Sequence, residues 1–409
     1  MKLLYIADGR SPIAINWISY FVQGGHEVHL ASTFACKPLP GLASLSFVPV
    51  AMSGSYGSPD IASAHPRLVR KFIPVGWRTK IRQWLAPWTL PQAAKALRQV
   101  IKRIQPDLIH AMRIPYEGMA AAMAMANIDA TAGKQNKHPF LISVWGNDFT
   151  LHAKSSSSME TLTRRALQAC DGLHADCRRD LRLAGELGFS SHKPAVLLPG
   201  GGGINFKTFF PAEVNEPSVP GVSPMEIINP RGIRAYVRND TFFHAIPRIV
   251  EKFPEISFVC PGMAGEKQAQ SWVDMLPNGE VVRLLPVQSQ VEMAGLFRRA
   301  QISVSITEHD GTPNSLLEAM ACGCFPIAGD IESLREWITM GENGLLVDPG
   351  DPRGLAEAII RVISEPDLRR KARDQNLQLV RERGEYMMTM RAAEEFYEAL
   401  VEGREVIRQ

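Results

Sequence analysis

The sequence predicts an α/β protein of two domains, each a parallel β-sheet with helices packed on both faces. Short apolar runs alternate with amphipathic helical stretches along the whole chain, which is the pattern of repeated β-α-β units. The alternation stops once, in a proline-rich stretch, and then starts again. With 409 residues, the chain is also longer than one hydrophobic core usually organises.

In the first half, short runs rich in apolar residues predict six strands, and amphipathic stretches such as 91–104 and 158–170 predict helices between some of them. The predicted strands are 2–7, 26–31, 44–50, 107–112, 139–145 and 195–198. Residues 207–224 contain four prolines and no hydrophobic period, which indicates a linker or surface loop. Four consecutive glycines, 200–203, lie just before it and can act as a hinge.

The second half repeats the pattern. The predicted strands are 225–229, 256–260, 281–285, 302–306, 325–328 and 345–347, and the predicted helices are 239–252, 289–299, 314–322 and 351–364. The tail 366–403 predicts two more helices. The expected division is a domain over 1–203, a linker over 204–224, a domain over 225–384, and a terminal segment 385–409 that packs back on the first domain.

Composition and charge exclude several classes of protein. A hydrophobic content of 45% argues against disorder, and a net charge of +3 is too small to indicate nucleic-acid binding. The six cysteines are scattered, without zinc or redox spacing, so we expect buried reduced thiols. The N-terminus lacks a signal peptide, and no apolar run of about 18 residues is present, so we expect a cytoplasmic protein without a membrane span.

The most informative stretch is 302–323, where a strand is followed by a polar turn and then by a helix. The strand ends near Thr307 and the helix begins at Asn314 and Ser315, both good N-cap residues. Because the first amides of a helix have no internal partner, they form an anion site suited to a diphosphate, with Gly311 and Thr312 as further donors.

Two acidic residues flank this site. Asp310 lies in the turn and Glu318 lies one turn into the helix, so both can accept hydrogen bonds from hydroxyls on either side of a phosphate group. The alternative is a capped helix with two acids that are only structural.

This stretch resembles the donor site of the retaining glycosyltransferases of family 4, which have the GT-B fold of two Rossmann-like domains facing across a cleft. The family signature is an acid, seven residues, a Glu and then A-M-A-x-G; here it runs from Asp310 through Glu318 to Gly323. The similarity continues through residues 325–359. The resemblance implies that Asp310 contacts the donor sugar, Glu318 contacts the ribose, the amides between them hold the diphosphate, and Gly262 also lies at the donor. The family more often has Glu at the first position, which leaves the sugar open.

The family also places cations beside the leaving diphosphate. In the stretch 228–240 (INPRGIRAYVRND), Arg231 fits the first cationic position, and Arg238 fits the second with Arg234 as its competitor. Fixed cations stabilise the negative charge that collects on the departing nucleotide, and each good donor contributes on the order of 3 kcal/mol. The alternative is that these are ordinary surface arginines.

The resemblance assigns the acceptor to the first domain. His110 ends one strand and is similar to a family histidine that contacts the transferred sugar, although Met112 stands where many members have a second histidine. A satisfied core histidine is the alternative. Gly9 and Asp148 follow other predicted strands and are acceptor-side candidates. Further candidates for the rim are Arg113, Tyr116, Glu117 and the stretch 145–147.

For the reaction, the resemblance implies retention of the anomeric configuration, with the leaving phosphate oxygen taking the acceptor's proton. The expected catalytic residues are then Arg231, Arg238, Asp310 and His110. No D-x-D metal motif stands out, so we expect no metal and no cofactor. The substrates would be a UDP-, GDP- or ADP-sugar and a small-molecule, glycan or lipid-linked acceptor. A non-catalytic nucleotide-sugar-binding protein and an epimerase or phosphorylase of the same fold are the alternatives; a dehydrogenase is disfavoured because no G-x-G-x-x-G follows the first strand.

Residues 67–88 raise a separate question. They carry six Lys or Arg residues, no acidic residue, and three of the chain's seven tryptophans. Such a segment suits the anionic surface of a membrane, where the protein would bind peripherally. The alternative is a solvated loop and helix whose tryptophans lie in the core or at the acceptor site.

Overall fold

The computed structural model describes residues 1–50, 75–132, 138–212 and 225–404, together with only part of the side chains in 75–86 and 127–132. The chain divides into two compact units. The first is Met1–Gly202 joined by the residues from Met388 onward, and the second is Gly203–Met387. Each unit is an α/β fold with one parallel sheet, as the alternating sequence pattern predicts.

The sheet of the first unit has seven parallel strands in the order β3-β2-β1-β4-β5-β6-β7. The strands are β1 Lys2–Ala7, β2 Glu27–Ser32, β3 Ser44–Phe47, β4 Leu108–Ala111, β5 Phe140–Val144, β6 Gly172–Ala175 and β7 Ala195–Leu197. The helices are α1 Pro12–Gln23, α2 Val75–Ile104, α3 Met119–Ala132, α4 Ser157–Ala169 and α5 Arg178–Glu186. The central strands are almost wholly buried because helices cover both faces of the sheet.

The C-terminal helix completes the first unit. Helix α12 (Tyr386–Glu402) places Tyr397 against the ring of Phe21, with ring centroids 4.6 Å apart. The Tyr397 oxygen accepts hydrogen bonds from Trp17 Nε1 at 2.8 Å and from the Tyr5 hydroxyl at 3.3 Å. The described tail is therefore anchored in the core of the first unit by aromatic packing and buried hydrogen bonds.

The second unit has six parallel strands in the order β10-β9-β8-β11-β12-β13. The strands are β8 Glu226–Ile228, β9 Ser257–Pro261, β10 Val282–Leu285, β11 Ile302–Ser305, β12 Phe325–Gly329 and β13 Leu345–Val347. The helices are α6 Asn239–Lys252, α7 Lys267–Asp274, α8 Gln290–Arg299, α9 Asn314–Ala321, α10 Pro352–Ser364 and α11 Pro366–Gly384. Both units reverse strand order beside their first strand, which in such sheets opens a crevice at the strand carboxyl ends.

The structure differs from the sequence-based expectations at several points. Strand β6 (Gly172–Ala175) and helix α7 (Lys267–Asp274) are not among the predicted elements. Strand β3 ends at Phe47 rather than at residue 50. The first residues of the predicted linker belong to the folded second unit, since Ile204 and Phe209 are buried in its core. The rest of the predicted linker, residues 213–224, lies outside the described residues.

The cysteines form no disulfide. Five are buried and Cys36 is half-buried. Burial raises the pKa of the Cys170 thiol to about 12, so this side chain stays protonated at neutral pH. In the described part of the chain, we find no helix with the length and apolar character needed to cross a bilayer.

Candidate active site

The turn between β11 and α9 forms the centre of the candidate site in the second unit. Helix α9 begins at Asn314, directly after Pro313, and has neither a side-chain cap nor an acidic residue in its first turn. Its first amides have no partner inside the helix, and the helix dipole adds partial positive charge at this end. The structure differs from the sequence prediction in one respect: Asn314 and Ser315 lie inside the first turn, and Pro313, which offers no side-chain cap, holds the N-cap position.

Arg231 follows β8 and contacts both ends of this turn. Its guanidinium donates to Asp310 Oδ2 at 2.5 Å and to Ser315 Oγ at 3.1 Å. The Nε–H of Arg231 is buried and has no hydrogen-bond partner among the described residues. The structure thus brings together Arg231, Asp310 and Ser315, and an N–H of the guanidinium remains to be satisfied.

Glu318 lies on α9 in the electrostatic range of the same guanidinium. Burial raises the pKa of the Glu318 carboxyl to about 7, and the positive charge of Arg231 opposes that rise. A carboxyl group with this pKa can accept or donate a hydrogen bond near neutral pH, which suits contact with hydroxyl groups.

Two buried side chains that the sequence analysis missed support the turn. Ser333 Oγ donates to the carbonyl oxygen of Asp310 at 2.7 Å, and Trp337 Nε1 donates to Thr312 Oγ1 at 2.9 Å. Both come from the segment that follows β12, and they fix the backbone and a side chain of the turn. No local pattern in the sequence marks Ser333 or Trp337, because their role depends on the packing of two distant loops.

A polar network holds the backbone around Arg231. Asn229 Oδ1 accepts from the Arg231 amide at 3.3 Å, and Asn239 Nδ2 donates to the Gly232 carbonyl at 2.8 Å. Gly232 has φ +60°, and a Cβ there would lie 3.6 Å from the carbonyl oxygen of Gly262. Gly262, a predicted donor-side residue, therefore lies beside the turn that carries Arg231, and its own φ of +75° favours glycine.

The two candidates for the second cation differ in their surroundings. Arg238 donates to Asp240 at 2.8 Å and to Glu308 at 3.0 Å, and these hydrogen bonds raise the pKa of its guanidinium. Arg234 donates to the Arg231 carbonyl at 3.0 Å and has no carboxylate within ion-pair range among the described residues. Arg238 is thus neutralised by its neighbours, whereas Arg234 is not.

In the first unit, two acceptor-side candidates form an ion pair. Asp148 is fully buried, and its carboxylate accepts from Arg113 at 2.5 Å and from the Trp145 amide at 3.1 Å. Arg113 is 28% exposed and also donates to Asn147 at 2.7 Å. The structure therefore does not give Asp148 the exposed acceptor-side position expected of it; its carboxylate holds Arg113, and Arg113 is the accessible member of the pair.

His110 occupies the buried core of the first unit, at 1% exposure. His110 Nε2 lies 2.7 Å from Ser143 Oγ, which lies 2.8 Å from His174 Nδ1, and His174 Nε2 lies 2.8 Å from the Leu198 carbonyl oxygen. Because a carbonyl oxygen only accepts, His174 Nε2 carries the proton, and His174 Nδ1 therefore accepts from Ser143. Ser143 in turn accepts from His110 Nε2, so His110 Nδ1 accepts from the Tyr397 hydroxyl, 2.5 Å away.

Both ring nitrogens of His110 are therefore used inside the protein. Burial also lowers the pKa of His110, and it lowers the pKa of His174 to about 4, so both rings are neutral at pH 7. This arrangement corrects the expectation that His110 contacts the sugar and favours the alternative of a satisfied core histidine.

Tyr116 and Gly9, two further acceptor-side candidates, are also enclosed. Tyr116 is 4% exposed and packs in the hydrophobic core, which differs from the expected rim position. Gly9 is buried, and a Cβ at this position would overlap Cys36 Sγ and crowd Ser32 Oγ. Close packing explains the glycine without a ligand.

One group of residues in the first unit has side chains of types that bind metals. Asp176, Cys177 and Asp180 are buried with their ligand atoms within 4.8 Å of one another. Arg179 donates to Asp180 Oδ1 at 2.9 Å and already neutralises that carboxylate. Burial raises the pKa of Asp180 to about 6 and keeps the Cys177 thiol protonated by raising its pKa as well. We assign no metal to this group.

Comparison with known proteins gives two family matches. The family model described as glycosyl transferases group 1 matches residues 226–378, and the model described as glycosyl transferase 4-like domain matches residues 14–200. A D-inositol 3-phosphate glycosyltransferase of Thermobispora bispora is 34% identical over 88 residues, which is 22% of this chain and 21% of the relative. The chain thus matches only about a fifth of that relative's length.

Solved structures resemble the chain over nearly its full length. A sucrose-phosphate synthase from Thermosynechococcus elongatus has a TM-score of 0.72 at 15% identity, covering 98% of this chain and 100% of that one. Anabaena Alr3699/HepE in complex with UDP and glucose has a TM-score of 0.68 at 12% identity, with coverage of 98% and 100%. At these identities, the similarity establishes the fold alone.

Proposed function

The chain belongs to glycosyltransferase family 4 and has the GT-B type of fold, and we propose that it transfers a sugar from a nucleoside-diphosphate donor to an acceptor hydroxyl with retention of configuration. One observation carries the proposal: Arg231 joins Asp310 and Ser315 at the uncapped start of α9. A guanidinium beside free helix amides is suited to bind a diphosphate.

The donor would bind with its diphosphate between Arg231 and the start of α9. The phosphate oxygens would accept hydrogen bonds from the amides of Asn314 and Ser315 and from the guanidinium, whose Nε–H lacks a partner among the described residues. Asp310 would then bind the hydroxyls of the sugar, and Glu318 those of the ribose. The raised pKa of Glu318 supports this role, because contact with hydroxyls compensates a buried carboxyl group.

In the proposed reaction, the bond between the anomeric carbon and the phosphate oxygen breaks as the acceptor oxygen attacks on the same face. The acceptor's proton passes to the phosphate oxygen that leaves. Charge accumulates on the diphosphate, so Arg231 and the amides of α9 stabilise the transition state more than the ground state. Asp310 is already bound to Arg231 and is supported through its carbonyl by Ser333, which favours a sugar-binding role over that of a nucleophile.

We propose that no metal ion takes part, because the guanidinium and the helix amides can neutralise the diphosphate. UDP is a reasonable first choice of donor nucleotide because Anabaena HepE, which shares the fold, was solved with UDP and glucose. A phosphorylated cyclitol is a reasonable acceptor to test, given the name of the Thermobispora relative. The partly exposed cation Arg113, which is held by Asp148, is a candidate contact for a charged acceptor.

The test is a transfer assay with labelled UDP-, GDP- and ADP-sugars against a panel of sugar, polyol and lipid-linked acceptors, with and without a chelator. We expect one donor to be consumed equally in both conditions and a product with the donor's anomeric configuration by NMR. Inversion would contradict retention, and loss of activity with the chelator would contradict metal independence. A bound donor that is never consumed would favour a non-catalytic binding protein, and an isomerised donor would favour an epimerase.

A further inference from the structure

Helix α2 exposes two large aromatic side chains to solvent. Trp84 is 72% exposed and Trp88 is 78% exposed, whereas Trp17 and Trp337 are buried at 1% and 5%. The two exposed residues are four positions apart, so they lie one above the other on the same side of the helix. Exposed tryptophan is costly in water, and a pair aligned in this way indicates a surface that is covered in use.

The side that carries these tryptophans is opposite the side that packs in the core. Leu90, Leu97 and Ile101 of α2 are fully buried. Lys95 and Lys102 follow Trp88 at steps of seven residues, which keeps them near the tryptophan side, and both are exposed. We call the side defined by Trp84, Trp88, Lys95 and Lys102 the outer side of α2.

The charged residues of α2 are all basic. The helix contains seven Lys or Arg residues and no acidic residue, although the whole chain is nearly balanced, with 45 basic and 42 acidic residues. In the described ranges, no carboxylate lies within ion-pair distance of Lys95, Lys102 or the neighbouring Arg98 and Arg103. The outer side therefore presents positive charge that no carboxylate of the described residues pairs.

We propose that the outer side of α2 binds the surface of an anionic lipid bilayer. Tryptophan prefers the headgroup region, where its ring is buried and its N–H stays hydrated, and each lysine near an anionic surface contributes about 1 kcal/mol. The outer side is the exposed face of a single helix, so it fits an extended surface better than a strand of nucleic acid. This inference is independent of the proposed transfer reaction, because none of its residues belongs to the candidate active site.

Vesicle flotation of the full chain tests the proposal, with vesicles of phosphatidylcholine alone and with about 30% phosphatidylglycerol. We expect binding to the anionic vesicles only, and a blue shift of tryptophan emission on binding. The affinity for these vesicles should fall as the salt concentration rises. The double variant W84S/W88S should bind at least about tenfold more weakly, and K95Q/K102Q about tenfold or more, since two charges near the surface are removed.

The matched controls change exposed apolar side chains and exposed lysines of the second unit. Variants M275S/V287S and K267Q/K371Q should bind as the unchanged protein does, and all variants should keep its unfolding temperature. The proposal is overturned if the unchanged protein fails to bind anionic vesicles or binds neutral ones equally. It is also overturned if W84S/W88S binds normally, or if single-stranded DNA binds where the vesicles do not.

Discussion

Arg231 and Asp310 lie 79 positions apart in the sequence and form a salt bridge of 2.5 Å at the start of α9. Both side chains are largely buried, with 10% and 15% exposure. The cation proposed for the diphosphate and the acid proposed for the sugar are therefore held in one geometry before any donor binds. Such preorganisation reduces the reorganisation needed when charge develops on the leaving group.

The first prediction concerns Arg231. Changing Arg231 to Ala should lower turnover by about two to three orders of magnitude, because a charge-stabilising donor at the leaving group is lost. The fold should persist by circular dichroism. The matched control is Arg335→Ala, which removes a more exposed arginine of the same unit from its salt bridge with Asp330; this variant should keep its turnover. Equal activity of the two variants would remove Arg231 from the mechanism.

The second prediction separates the sugar from the diphosphate. Asp310→Asn removes a negative charge next to Arg231, so a free nucleoside diphosphate should bind at least as tightly as to the unchanged protein. Transfer should nevertheless fall by about a hundredfold or more, because a strong acceptor for the sugar hydroxyls is lost. Calorimetry with the nucleotide and the transfer assay measure the two effects. A parallel loss of affinity for the free nucleotide would contradict the assignment of Asp310 to the sugar.

The third prediction distinguishes the two candidates for the second cation. Arg238 is neutralised by Asp240 and Glu308, whereas Arg234 has no carboxylate partner among the described residues. If Arg238 serves the diphosphate, as the family pattern implies, Arg238→Ala should raise the donor's dissociation constant about tenfold and Arg234→Ala should not. The reverse order would assign the role to Arg234.

The fourth prediction concerns pH. The pKa of Glu318 rises from 4.5 in the unfolded chain to about 7 in the folded protein, so the folded state holds the extra proton between these values. Stability from this group is present below about pH 4.5 and is lost as the pH rises through about 7, by up to about 3 kcal/mol. Glu318→Gln should therefore raise the unfolding temperature at pH 8 and change it little at pH 5. An increase of the same size at both pH values would contradict the raised pKa.

The fifth prediction tests the buried network of the first unit. Tyr397→Phe removes the acceptor of Trp17 and the donor to His110 and leaves buried polar groups unsatisfied. We therefore expect the free energy of unfolding to fall by about 2 to 4 kcal/mol. Tyr5→Phe removes only a longer hydrogen bond of 3.3 Å and should cost less than about 1 kcal/mol. Chemical denaturation measures both. Similar decreases in the free energy of unfolding for the two variants would contradict the central position of Tyr397 in this network.

Much of the fold could be predicted from the sequence because alternating apolar segments carry local information. Helix α6 has the predicted bounds, and β11 and α9 differ from the predictions by one residue at one end. The turn between β11 and α9 could also be predicted, since a strand, a polar turn and a helix start are contiguous in the chain.

Residue roles that depend on packing between segments far apart in the sequence were harder to predict. The sequence does not reveal that His110 would be enclosed by Tyr397, which lies 287 positions away. It also does not show that Asp148 would be buried under Arg113, or that Ser333 would support Asp310. Each of these contacts joins segments whose proximity is created only by the folded chain.

The most direct measurement is a crystal structure of the protein soaked with a sugar nucleotide. We predict that the diphosphate lies at the first amides of α9 within hydrogen-bond distance of the Arg231 guanidinium, with the sugar at Asp310 and the ribose at Glu318. Phosphates found at any other place, with Arg231 still bound only to Asp310 and Ser315, would contradict it.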